Sequence, residues 1–472
     1  MVDNKKILVL IISFIYLIFI SVSYLSYDWI RFSLLLLSSL PLLFLFVSWI
    51  ISYKSKLDLL SPLILLAYSL ILGTFLRTFF LIQEDSGLIS HQNSILYQQD
   101  LNDLIYPLFL IHLTISFFLI GYFQKKRFNL RINTSNRFFL TNRVIKRILW
   151  FTLLISLLGM ILLVQAVGVN EIILENLLQK KRVYDESGQT YSFGPLRFLA
   201  SFCMYGSFLG IINLFQSNYK SGSVLKILLL INFILSILYG LITSSRTTIL
   251  FYFITCILIY VKITNKLSRR LIVTTVISLL TISTVISSFR NINHAEKNQL
   301  NPVYYLVANN NNLGVSKTGK IFSYSQKIDN LLLGSSYASW IFTPIPRSLW
   351  KDKPSITIGN YVRDKIMPGE GINAGAIPPG ITGEILLNFG VFGLFIIPFL
   401  WGILIKSIYI RLSCLKTNNN PLNIIILSVL LIEGTIKLAG GSFTQMINGF
   451  LEALVTLFIL QLLFIKKIKN EI

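Results

Sequence analysis

Residues 147–168 read RILWFTLLISLLGMILLVQAVG. These 22 residues hold a single charge, Arg147, at their edge. Wound as a helix at 1.5 Å per residue they span about 33 Å, enough to cross a hydrocarbon core of about 30 Å. Before the run comes a basic stretch, with eight Lys or Arg from Lys125 to Arg147. An apolar run with its cations crowded on one side predicts a membrane helix with that side facing the cytoplasm.

Reading outward, the same kind of run recurs. About twelve helices are expected, over 7–26, 32–52, 59–82, 104–123, 147–168, 193–215, 226–243, 247–261, 271–289, 381–405, 421–439 and 445–465. The first follows Lys5 and Lys6 without a small-residue cleavage site after it, which reads as a retained helix rather than a signal peptide. The composition agrees: of 472 residues 54% are hydrophobic and 13% charged. Mean hydropathy is +0.69. A soluble chain carries about 25% charged residues. A soluble enzyme, a secreted disulfide scaffold, a disordered chain and a DNA-binding domain are all excluded. The net charge of +22 is therefore a matter of membrane sidedness before it is one of partners, and no nucleic acid is expected. Cys203, Cys256 and Cys414 offer no disulfide or metal spacing, and no cofactor is implied.

With both termini inside, the short inner segments collect Lys5, Lys6, Lys54, Lys56, the 125–147 cluster, Lys220, Lys226, Lys262, Lys266, Arg269, Arg270, Lys406, Arg411, Lys416, Lys466, Lys467 and Lys469. The short outer loops hold only Arg31 and Arg246. The expected architecture is an all-α polytopic membrane protein, 1–472 forming one transmembrane domain. Two outer segments break the charge rule. The loop 169–192 carries Lys180, Lys181 and Arg182. The 91-residue loop 290–380, between the ninth and tenth helices, carries ten Lys or Arg against five Asp or Glu. Long loops translocate regardless of charge, and loops this long are usually functional or disordered. The second is expected to be a cap, ordered around Tyr337–Trp350 and Ile356–Ile366, where aromatic and β-branched residues alternate with turns.

Four features of this outer side carry chemistry. Arg182, Arg246, Arg347 and Arg363 all lie there, and guanidinium forks match phosphate oxygens. Arg246 follows Ser244-Ser245 at the start of the eighth helix, where free N–H groups favour an anion. Any one of these arginines also suits an ordinary lipid headgroup. Second, Arg182–Gly194, Arg347–Gly359 and Arg363–Gly375 are each separated by eleven residues. Third, Arg77, Arg197, Glu384, Glu433, Lys437 and Glu452 fall within or at the edge of helices, where a charge needs a partner or water. Glu433 and Lys437 are spaced to pair. Glu384 opens the tenth helix after Ile377-Pro378-Pro379-Gly380; it suits a general base, or simply its own helix dipole. Fourth, Tyr337, Trp340, Trp350 and Tyr361 suit stacking on sugar rings or anchoring at the interface.

The segments Ser244-Ser245-Arg246, Ile345-Pro346-Arg347-Ser348-Leu349-Trp350 with Lys353-Pro354, and Gly383-Glu384-Ile385-Leu386-Leu387-Asn388-Phe389-Gly390-Val391-Phe392-Gly393 resemble those of the Wzy-type O-antigen and capsular polysaccharide polymerases of bacteria. The plan of about twelve helices with enlarged third and fifth external loops resembles theirs over nearly the whole chain. The family pattern places ten residues between Arg and Gly in those loops, against eleven here. The resemblance implies a metal-independent membrane glycosyltransferase of the bacterial inner membrane. It would join oligosaccharide repeat units carried on undecaprenyl diphosphate into capsule or lipopolysaccharide O-antigen. It also implies Arg182, Arg246, Arg347 and Arg363 at the diphosphate, Trp350 and Tyr361 at the glycan, membrane lipids around the helices and a polysaccharide chain-length regulator as a possible partner. An O-antigen ligase-like transferase, to which His294 would be relevant, shares the large loop. A lipid-linked oligosaccharide flippase is the rival from another class, although no internal repeat of the transporter kind is seen.

Overall fold

The computed structural model describes residues 29–85, 101–124, 141–167, 194–216, 222–243, 246–268, 314–342, 350, 358–368, 377–415 and 421–465. Among these the regular structure is entirely helical. Nine stretches are long and apolar enough to cross a membrane, and a tenth apolar helix, Thr248–Thr264, is shorter. The chain is a polytopic membrane protein, all-helical in the regular structure of its described residues. The expected helices 7–26 and 271–289, and the loop 169–192, lie outside the described residues.

The chain divides into two compact units. One comprises Met1–Asn129, Lys297–Tyr409 and Glu433–Asn448; the other comprises Leu130–Glu296, Ile410–Ile432 and Gly449–Ile472. In order, the α-helices are α1 (Trp29–Ser52), α2 (Pro62–Leu70), α3 (Leu76–Asp85), α4 (Ile105–Phe123), α5 (Asn142–Val167), α6 (Gly194–Ala200), α7 (Phe202–Gln216), α8 (Ser223–Ile242) and α9 (Arg246–Thr264). Then follow α10 (Val315–Ser325), α11 (Ser335–Ala338), α12 (Ile358–Tyr361), α13 (Gly380–Phe389), α14 (Gly393–Cys414), α15 (Pro421–Ile432), α16 (Leu438–Gly440) and α17 (Phe443–Leu460). Single π-turns, Ile71–Phe75 and Glu433–Lys437, join α2 to α3 and α15 to α16.

The second unit is held by hydroxyls and amides turned inward. On α5, Ile145, Ile148, Leu149, Thr152, Ser156 and Leu163 are buried, while Trp150, Leu154, Leu158 and Ile161 on the other faces are exposed, as for a helix with one lipid side. Thr152 Oγ1 donates to Asn232 Oδ1 of α8 (2.9 Å), and Asn232 Nδ2 donates to the Leu149 carbonyl (3.1 Å). The Cys203 N–H donates to Ser156 Oγ (2.7 Å), and Tyr252 donates to Ser207 (2.8 Å). Without a hydrophobic drive between helices in lipid, such bonds and close packing hold the bundle. Cys203 and Cys256 are buried and Cys414 is exposed.

In the first unit α4 crosses α14 at glycine. A Cβ on Gly402 would lie 2.2 Å from the Phe118 carbonyl oxygen, and one on Gly121 would lie 2.0 Å from the Phe399 carbonyl oxygen. The two backbones therefore touch. Trp401 Nε1 donates to the Gly434 carbonyl (2.6 Å) on the π-turn, which also carries the expected Lys437–Glu433 pair (2.8 Å).

The structure corrects one expectation that bears on the site. The run 381–405 is not one helix. It breaks at Gly390, whose φ of +61° favours glycine, and α13 and α14 are separate helices. Glu384 does not open the membrane helix; it sits mid-way along a short helix whose residues 380–388 are all buried.

Candidate functional site

The most elaborate polar cluster in the first unit is built around α13. Glu384 and Asn388 are one turn apart on the same face, both 0% exposed. Ser336 Oγ donates to Glu384 Oε1 (2.9 Å), and the Phe443 N–H at the start of α17 donates to Glu384 Oε2 (2.7 Å). Asn388 Nδ2 donates to Ser336 Oγ (2.8 Å) and to the Glu384 carbonyl (2.7 Å), while its Oδ1 accepts from the Gly334 N–H (3.0 Å). Thr444 Oγ1 donates to the Ser336 carbonyl (3.0 Å) and lies 2.9 Å from Ser339 Oγ. One carboxylate thus ties three elements, α11, α13 and α17. It satisfies the helix start of α17, not that of its own helix. Burial pushes the Glu384 carboxyl up to about 7, against the lowering effect of the Phe443 N–H and then the Ser336 hydroxyl. Tyr337, whose ring stacks on Phe389 and leans on Phe443, is raised by burial and then by Glu384.

A second cluster lies at the start of α10, which packs against α13. Its helix start, Gly314, is followed by Lys317 in the first turn. Lys317 is 2% exposed and donates from Nζ to the Pro378 carbonyl. Arg77 on α3, also 2% exposed, faces the same glycine: the Cβ position of Gly314 is 3.8 Å from Lys317 Cε and 4.0 Å from Arg77 Nη1. Burial, and then the charge of Arg77, push the Lys317 ammonium down to about 7.

The residues singled out in the sequence fall as follows. Glu384 is central to the first cluster. Tyr361 ends α12, and its hydroxyl lies 3.0 Å from that of Tyr324 on α10. Arg363, on the π-turn Val362–Ile366 after α12, donates from Nη2 to Asp364 (2.8 Å). Trp350 meets Phe342 edge to face at 5.5 Å between ring centroids. Arg246 begins α9, in the second unit. Arg182 and Arg347 lie outside the described residues. The structure therefore brings Tyr361 and Arg363 onto adjacent turns. Sequence reasoning missed Ser336, Asn388 and Lys317. Asn388 carried a legible signal, its spacing of four from Glu384; Lys317 had none, because a lysine in a polar stretch reads as solvated.

Comparisons with known proteins add no identification: no family model, curated protein or solved structure matches the chain.

Proposed function

We propose that the chain is a membrane glycosyltransferase that polymerises undecaprenyl-diphosphate-linked oligosaccharide repeat units into a surface polysaccharide, at the outer face of the bacterial cytoplasmic membrane. In this reading both termini are cytoplasmic, twelve helices cross the membrane, and 169–192 and 290–380 are external. The observation that carries it is Glu384. The segment 383–393, which resembles the polymerases, is where the chain buries a carboxylate, and burial brings that carboxylate to about 7, the range in which a group both takes and gives a proton at neutral pH.

The reaction needs no redox partner. A sugar hydroxyl of one lipid-linked unit attacks the anomeric carbon of the other. The bond from that carbon to the diphosphate breaks, and its electron pair leaves with the diphosphate. The hydroxyl proton passes to ionised Glu384 through Ser336, whose hydroxyl donates to that carboxylate. Arg182, Arg246, Arg347 and Arg363 are assigned to the departing diphosphate, where preorganised cations act on the charge that develops. Trp350 and Tyr361 are assigned to the glycan.

The test is product analysis in a deletion strain complemented with variants. Glu384→Gln, present at normal level in the membrane, should leave single-repeat glycans in place of polymer, as should Arg182→Ala, Arg246→Ala and Arg347→Ala. Normal turnover by purified Glu384→Gln removes the carboxylate from the mechanism. Full-length polymer from all three arginine variants rejects the diphosphate assignment. Accumulation of intermediates on the cytoplasmic side would make the protein a flippase.

A further inference from the structure

That mechanism leaves unused the apolar surface beside the Glu384 cluster. Leu333 is 79% exposed, Phe392 83% and Ile341 56%. A single exposed apolar residue is ordinary, but these stand in two uncharged runs of the first unit. No charged residue lies between Asp329 and Arg347, nor between Glu384 and Lys406. The runs meet backbone to backbone: the Leu332 N–H donates to the Leu387 carbonyl (2.8 Å), and the Gly334 N–H donates to Asn388 Oδ1 (3.0 Å). Phe389 lies between them, with its ring 3.4 Å from the Cβ position of Gly334 and its own Cβ 2.8 Å from that of Gly393. Leu333 and Phe392 are the residues just before those two glycines. Leu333 has a φ of +47°, a left-handed conformation that leucine avoids. The bonds of Leu332 and Gly334 pin that turn on either side, with the leucine side chain outside.

Helix α14 indicates what covers these side chains. Its exposed Ile396, Leu400 and Leu404 follow Phe392 at intervals of four, one line along a helix long and apolar enough to cross a membrane. On such a helix that line faces acyl chains, and Phe392 is its end. The neighbouring backbone suits the same solvent, because in lipid every polar backbone group must be satisfied internally. Besides the bonds of Leu332 and Gly334, the Ser335 N–H donates to the Leu332 carbonyl, and the Tyr337 and Ala338 N–H groups donate to the Gly334 carbonyl. The Ser336 and Ser339 hydroxyls are turned inward, onto Glu384 and the Ser336 carbonyl. We propose that residues 331–342 are immersed in the bilayer, with Leu333 and Ile341 extending the acyl-facing surface of α14, rather than standing in water as part of a cap. An apolar stretch of about 10–14 residues is too short to span and is typically buried in a core, re-entrant or interfacial; the exposure of Leu333 and Ile341 excludes the first. Lys327 and Asp329, both exposed, mark where the chain leaves water. The Ser336–Glu384 pair is then open to a reactant that stays in the membrane. The lipid contact goes beyond the transferase reading and does not rest on it; a flippase would keep it equally.

The experiment uses the full-length protein in phosphatidylcholine nanodiscs. In the unaltered chain, a phosphatidylcholine with a diazirine on its acyl chain is photolysed and its adducts are located by mass spectrometry. Adducts within 331–342 as well as within 392–404, and none at Lys327 or Asp329, are expected. Adducts within 392–404 alone overturn the immersion. In a second measurement, Leu333→Cys, Ile341→Cys, Ile396→Cys and Lys327→Cys are each made with Cys414→Ser, which leaves only the buried Cys203 and Cys256 as native thiols, and each new thiol carries an NBD fluorophore. Doxyl-labelled acyl chains should quench the Leu333 and Ile341 sites as deeply as the Ile396 site, and aqueous iodide should quench the Lys327 site alone. Iodide quenching at Leu333 and Ile341 makes the segment an aqueous cap. Quenching by neither agent means that protein covers it, from a second copy or from elsewhere in this chain. Either result overturns the lipid contact. Neither readout involves polymer formation, so failure of the transferase reading would leave both intact.

Discussion

At the residue scale, Glu384 links chemistry to stability. Its carboxyl is raised from 4.5 to about 7, so between those values the folded protein keeps a proton that the unfolded chain has released. Stability contributed by this group is therefore fully present below pH 4.5 and is lost as pH rises toward 7. The difference is worth at most about 3 kcal/mol. Other carboxylates impose slopes of their own, so the observable is the difference between two proteins. The wild type minus Glu384→Gln difference in thermal midpoint should fall from pH 4.5 to pH 7 and level off above it. A flat difference across that window means the carboxyl is not raised. Glutamine has one acceptor oxygen where glutamate has two, so the variant leaves either the Ser336 hydroxyl or the Phe443 N–H without its bond, at about 1–3 kcal/mol.

At the scale of elements, the contact of α4 with α14 is the sharpest constraint. A side chain on Gly402 meets backbone at 2.2 and 2.7 Å, and backbone cannot rotate away. Gly402→Leu should lower stability by about 2 kcal/mol or more, read as a drop in thermal midpoint and in yield. Gly222→Ala, with open space around it, should cost less than about 1 kcal/mol. The helices themselves were legible because an apolar run of bilayer length admits one reading. The break at Gly390 was not, because Val391 and Phe392 keep hydropathy high across it; the hint lay in the paired Gly390 and Gly393. Helix α10 was missed for the opposite reason: VSKTGKIFSYS has no apolar run, and packing against α13 rather than composition makes it a buried helix. Of the candidate site, Glu384 and Asn388 could be read locally. Ser336 and Phe443 are 48 and 59 residues away from Glu384, and only folding brings them there.

For the whole molecule, the charge rule makes a claim that can be checked from outside the cell. A cysteine placed at Asn310 should react with a membrane-impermeant maleimide on intact cells, and one at Ser135 only after the membrane is opened. The reverse pattern would invert the scheme and put Glu384 on the wrong side for a glycan acceptor. The thiols already present decide how cleanly this reads. Because Cys203 and Cys256 are sealed inside the helices and Cys414 is exposed at the end of α14, the unaltered chain carries its own reporter. On intact cells the unaltered protein should therefore stay unlabelled, because the proposed orientation puts Cys414 in the cytosol, and opening the membrane should label it at that one address.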